Sequence, residues 1–159
     1  MNVRRTALKS VLAAAVLAVA LSGMTSAVPA AQDGMMKQKS LYDRLGGYNA
    51  VAAVVDDFVG RLIADKQFER FFVGHSTDSK KRIRQHIVDQ LCAAAGGPCI
   101  YTGRTMKDSH AGLGITEAEW NAAAKHLVAS LDKFRVGEQE KTDLLAFVTS
   151  IKGDIVEKK

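Results

Sequence analysis

The chain has 159 residues, 47% of them hydrophobic and 25% charged, with a formal net charge of +5. That length suits one domain with one core. Three of the basic residues, Arg4, Arg5 and Lys9, lie in the first thirty positions, which hold no acidic residue, so the remainder carries only +2 and its net charge makes no case for nucleic-acid binding.

Those first thirty residues read as a targeting segment. A basic start precedes an unbroken apolar run over 11–21, and Val28-Pro29-Ala30 ends in the small residues that a signal peptidase accepts. The alternative is a retained membrane anchor, but the run is too short to span a bilayer. No cysteine follows it to take a lipid. The expectation is a signal peptide over 1–30, a polar linker over 31–39 and one domain over 40–159. After cleavage no transmembrane anchor remains, and the mature chain is expected in the periplasm or outside the cell.

In the domain, Ser40 and Asp43 suit the capped start of a brief helix that ends at Gly46-Gly47. A second helix is expected over about 49–64, with Val51, Val54, Val55, Phe58 and Leu62 at helical spacing. Phe68, Phe71 and Phe72 cluster at a corner, and a loop over 74–78 leads to a third helix capped by Ser76 or Thr77. That helix, over about 79–95, places Ile83, Ile87 and Leu91 on its apolar face, with Lys80, Lys81, Arg82, Arg84 and Asp89 opposite. Thr116-Glu117-Ala118-Glu119 is a capping box opening a fourth helix. Its stripe is Trp120, Ala124, Leu127, Leu131 and Phe134, which leaves His126 on the polar side. Gly137 introduces a fifth helix with Leu144, Phe147, Val148, Ile151 and Ile155 inward. No period of two persists, so no strands are expected. Four substantial amphipathic helices must pack on one another as an all-α domain.

Between the third and fourth helices the pattern changes. Gly96-Gly97-Pro98 stops one helix, and Tyr101-Thr102-Gly103-Arg104 turns the chain. A short helical turn then carries Met106 and His110 on one face before Gly112 and Gly114 break it. Cys92 and Cys99 flank the Gly-Gly-Pro stop. The reversal could bring them within bonding range in an oxidising compartment, or Cys92 could be a small core residue and Cys99 a free thiol. No Cys-x-x-Cys-His motif for covalent haem attachment is present. No carboxylate pair, Ser-His-Asp arrangement or phosphate loop is visible, and no flavin or nicotinamide module accompanies the domain. A lone imidazole on a short, stiffly bounded segment suits one axial bond to iron.

Taken in order, Leu41-Tyr42-Asp43-Arg44-Leu45-Gly46-Gly47, Asp57-Phe58, Phe71-Phe72, Gly96-Gly97-Pro98, Tyr101-Thr102-Gly103 and Met106 with His110 resemble the truncated haemoglobins, in particular their first group. The resemblance covers about residues 40–156. It implies a two-over-two α-helical sandwich holding haem b non-covalently between the third helix and the His110 segment. It implies His110 as the proximal iron ligand and a haem-facing role for Phe58, Phe72, Ile83, Ile87, Leu91, Met106 and Ile115. Tyr101 and Arg104 are candidates for the propionates, although Tyr101 could instead only cap the glycine-rich turn. Trp120 is better read as a core residue.

The distal positions depart from the family. Val59 stands where a tyrosine is usual, and Ile83 and Ile87 stand where glutamines are usual, so donors to a bound gas are missing. His86 is then the candidate sixth ligand to iron; alternatively it faces solvent or a propionate. His75 is a more distant candidate. The expected function is reversible binding of a diatomic gas (O2, NO or CO), with a redox or nitric-oxide-related role open and a periplasmic electron donor as the partner that role needs. Enzymatic activity is not expected without an external reductant. Two other readings remain: a cofactor-free helical domain that binds protein partners, and a haem carrier.

Overall fold

A computed structural model of the chain describes residues 38–158. The expected signal peptide and most of the expected linker lie outside these residues. Among the described residues there are eight α-helices: α1 (Leu41–Leu45), α2 (Gly47–Ala64), α3 (Glu69–Phe72), α4 (Thr77–Ala94), α5 (Met106–His110), α6 (Glu117–Lys133), α7 (Glu138–Ser150) and α8 (Lys152–Ile155), with a 3-10 turn over Lys66–Phe68. The only β pairing among them is an isolated parallel bridge between Thr116 and Lys158.

The helices start where their caps dictate. The Ser40 hydroxyl accepts the Asp43 N–H while the Asp43 carboxylate accepts from Ser40, and Thr116 and Glu119 repeat this box at α6. Ser76, not Thr77, caps α4, accepting the Ser79 N–H at 3.2 Å. Three boundaries differ from the sequence expectation. Gly46 alone closes α1, and α2 begins at once with Gly47. The fifth helix stops at Ser150, and Ile151 leads into the separate α8. Phe134, expected inward, is the C-cap of α6 and lies 42% exposed, because the apolar stripe ends with the helix.

α2 is the hub, packing on both α4 and α6, while α1 packs on α2 and α7. Val55, Val88 and Leu131, from the three central helices, are fully buried, and Val51, Val54, Val59, Leu91, Leu127 and Leu144 complete the core. Burying a side chain of this size contributes roughly 1.5–3 kcal/mol, which makes this cluster the main source of stability. Cys92, fully buried at the end of α4, is joined to Cys99 by a disulfide. Gly97 sits inside that loop where a Cβ would meet the Tyr42 ring at 2.5 Å and the Cys92 sulfur at 2.8 Å, so no larger residue fits. The loop then runs out to α5, which packs on α8 and has no comparable packing against α4.

Candidate functional site

His110 ends α5, half buried, with Nδ1 2.8 Å from the carbonyl oxygen of Met106. A carbonyl can only accept, so Nδ1 carries the proton. In the neutral ring Nε2 is then the nitrogen with the lone pair, the tautomer that a metal-ligating histidine needs. The cause is local. The Thr105 hydroxyl caps α5 by accepting the Asp108 N–H at 3.0 Å, and the single turn that follows places the ring of residue 110 beside the carbonyl of residue 106. No group of three or more His, Cys, Asp or Glu side chains that could hold a metal occurs among the described residues. Metal binding here would be by one imidazole, as haem iron allows.

The remaining expected residues divide into three sets. Phe58, Phe72, Ile83, Ile87, Met106 and Ile115 are half buried, with apolar surface still to cover. Phe58 and Ile87 also pack against the core. Leu91 belongs to the buried core and lines a small pocket of about 120 Å³ with Val54, Leu131 and Leu144. Tyr101, Arg104 and His86 lie at the surface edge. The Tyr101 hydroxyl donates to the Arg104 carbonyl at 2.6 Å, and its ring lies against Gly103. Its proton is thus committed to the turn, as in the capping alternative. The exposed His86 ring meets the Tyr101 ring edge-on, with centroids 6.1 Å apart. His75 is exposed in the loop before α4. Trp120 is half buried.

An open hollow of about 460 Å³ lies elsewhere, on the outer surface between Asp56 of α2 and Thr77, Lys80, Lys81, Arg84 and Gln85 of α4. Neither it nor the small pocket beside Leu91 is lined by His110. His126 is not the solvent-facing residue that the helical pattern suggested. Its Nε2 lies 2.8 Å from the Asp65 carboxylate and its ring stands edge-on to Phe68, which ties α6 to the phenylalanine corner.

Two residues that the sequence reading missed meet at the turn after His110. The Glu157 carboxylate accepts the N–H groups of Gly112 and Gly114, and the Arg70 guanidinium donates to the carbonyls of Leu113 and Gly114. Arg70 also pairs with Glu119 and covers the Phe71 ring at 4.0 Å. Burial pushes the Glu119 carboxyl up, but hydrogen bonds from the Thr116 N–H, from Arg70 and from the Thr116 hydroxyl outweigh this and hold it below its ordinary value. Only the capping box announced Glu119; nothing local in sequence announced Arg70 or Glu157.

The sequence matches the bacterial-like globin family over residues 40–157. The chain belongs to this family. This globin is similar to the group 1 truncated hemoglobin GlbN of Mycolicibacterium paratuberculosis, at 35% identity over 73% of this chain and 83% of that protein. Its fold is similar to the truncated hemoglobin of Tetrahymena pyriformis in its Fe(III) form, with a TM-score of 0.69 at 27% identity over 76% of this chain and all of the other. It is also similar to the 2/2 hemoglobin of Synechococcus sp. PCC 7002, solved in the cyanomet state with covalently attached heme. There the TM-score is 0.66 at 31% identity, over 74% of this chain and 98% of that one. The all-helical globin thus has the two-over-two globin fold expected from its motifs.

Proposed function

We propose that this globin binds haem b non-covalently through His110 and uses it to bind a diatomic gas reversibly. The observation that carries the reading is the His110 tautomer: Nδ1 donates to Met106 and Nε2 is left to coordinate. Iron in bound haem supplies an exchangeable coordination position and a one-electron couple. The half-buried Phe58, Phe72, Ile83, Ile87, Met106 and Ile115 are apolar walls that would exclude water from a flat hydrophobic cofactor. Arg104, exposed beside the turn, is free to neutralise a propionate. Both cysteines are joined to each other, so no thiol is available to add to a haem vinyl group. Val59, Ile83 and Ile87 offer no hydrogen-bond donor, which favours a weakly held, rapidly exchanging gas over an oxygen store.

A secondary reading is a redox or nitric-oxide role with His86 as sixth ligand and an external electron donor. It is supported by the position of His86 beside Tyr101, in the loop that leads to the proximal segment. The disulfide and the amino-terminal apolar run support action in an oxidising compartment, the periplasm or the exterior.

Optical spectra of the haem-loaded protein test these readings. Wild type should show a globin-type Soret band, and His110→Ala should lose it or retain haem only weakly. A split, low-spin ferrous spectrum that disappears in His86→Ala would establish six-coordination. A five-coordinate ferrous spectrum indifferent to His86→Ala would remove His86 from the mechanism. Failure of wild type to take up haem would end the globin-function reading in favour of a cofactor-free interaction domain. Transfer of haem to an apo-acceptor within seconds would favour the carrier.

A further inference from the structure

His110 is followed at once by a segment with little stiffness of its own. Gly112 and Gly114 sit at φ 79° and 60°, left-handed conformations that strain any residue with a side chain. Glycine also has the most freedom to lose, so such a turn does not hold its shape unaided. It is nevertheless gripped from two sides. Glu157, from the carboxy-terminal end, accepts Gly112 N–H at 2.6 Å and Gly114 N–H at 2.5 Å. Arg70, from α3, donates to Leu113 O at 2.7 Å and to Gly114 O at 3.3 Å. An anion takes the amides of the turn and a cation takes its carbonyls. Hydrogen bonds of this charge-assisted kind are about twice as strong as neutral ones.

Each clamp is itself anchored. Arg70 is held by both oxygens of the nearly buried Glu119 at 2.9 and 3.0 Å. Glu157 is held by its own backbone, since Glu157 N and Lys158 N both donate to Ile115 O, and Lys158 O accepts from Glu117 N. The two glycine N–H groups, first that of Gly112, keep the Glu157 carboxyl below its ordinary value and hence anionic at neutral pH.

We propose that Glu157 and Arg70 are positioning residues for the iron ligand, fixing the turn through which α5 leaves His110 and so the direction in which Nε2 is presented. This rests on the haem reading above. A purely structural alternative is that Glu157 only fastens the chain end.

The test compares haem-loaded wild type with Glu157→Ala, Glu157→Gln and Arg70→Lys. The lysine variant keeps a cation beside Glu119, whose charge would otherwise be left unpaired near the core. Three readouts are taken from each: amide hydrogen exchange at Gly112 and Gly114, the iron–imidazole vibration, and the rate of haem transfer to excess apo-acceptor. Glu157→Ala should speed exchange at both glycines and haem loss by about tenfold, and should shift the vibration. Glu157→Gln should lie between it and wild type. Arg70→Lys should shift the vibration in the same sense. Faster exchange with vibration and haem loss unchanged would mean that Glu157 holds only the chain end, and unchanged exchange would mean that no clamp exists; either result overturns the proposal. Absence of haem uptake by wild type would overturn the haem reading instead. Glycine exchange in the same sample would still report whether the clamp forms, so the two failures are distinguishable.

Discussion

Asp57 gathers three donors onto one carboxylate. Lys133 at 2.5 Å, Arg61 at 2.6 Å and Ser130 at 2.8 Å all donate to it, joining α2 to α6 beside the core. These contacts hold the Asp57 carboxyl well below the usual carboxylate range, the Lys133 bond foremost. An acid depressed in the folded state stabilises it fully above its unfolded pKa of about 3.9 and loses that contribution as pH falls toward the folded value. Asp57→Asn should therefore lower the melting temperature at pH 7 by about 5 °C. The gap to wild type should narrow as the pH drops below about 4, which thermal melts at pH 7 and pH 3 would check. In sequence Asp57 was only the neighbour of Phe58. Arg61 stands one helical turn on, but Ser130 and Lys133 lie on another helix, and no period reveals them.

Among the elements, the loop from α4 to α5 has the most to hold in place, because it carries the chain from the core out to His110. The disulfide closes it over a separation of 7 residues. A short covalent loop restricts the unfolded chain, contributing about 2–3 kcal/mol in the chain-entropy account. Cys99→Ser should lower the unfolding free energy by that amount, and reductant should produce a similar drop in wild type but none in the variant. Unfolding curves with and without reductant measure both. The pairing was open in the sequence because composition allows a buried thiol as readily as a bridge. The fold decides it by bringing the two Cα atoms to 5.7 Å while Gly97 lets Tyr42 pack into the bend.

For the whole molecule, the described domain leaves Phe58, Phe72, Ile83, Ile87, Met106 and Ile115 half covered while Val55, Val88 and Leu131 are fully buried. A ligand that binds only the folded state raises its stability by mass action. Haem at about a hundredfold above its dissociation constant should add about 2.7 kcal/mol, or roughly 10 °C of melting temperature. His110→Ala should remove most of that gain, whereas its haem-free melting temperature should stay near that of wild type, since the His110 ring bonds only to the Met106 carbonyl of its own helix. Calorimetry of both proteins with and without haem separates the two effects.

Helix positions, the capping boxes at Ser40 and Thr116, the core stripe of α2 and the single-histidine segment were legible in the chain alone. Each depends on spacing within one element, and spacing is what a sequence records directly. The resemblance in motif order added the fold. The local fold of the chain commits His110 Nδ1 and the Tyr101 hydroxyl each to a carbonyl within four residues, whereas the tertiary structure alone decided that His126 binds Asp65 rather than facing solvent. It alone brought Arg70 and Glu157 to opposite sides of one glycine turn, from 43 and 45 residues away. The pairings of His126, Arg70 and Glu157 depend on which helix crosses which and at what height. That is set by packing around Val55, Val88 and Leu131 rather than by anything local to the residues concerned.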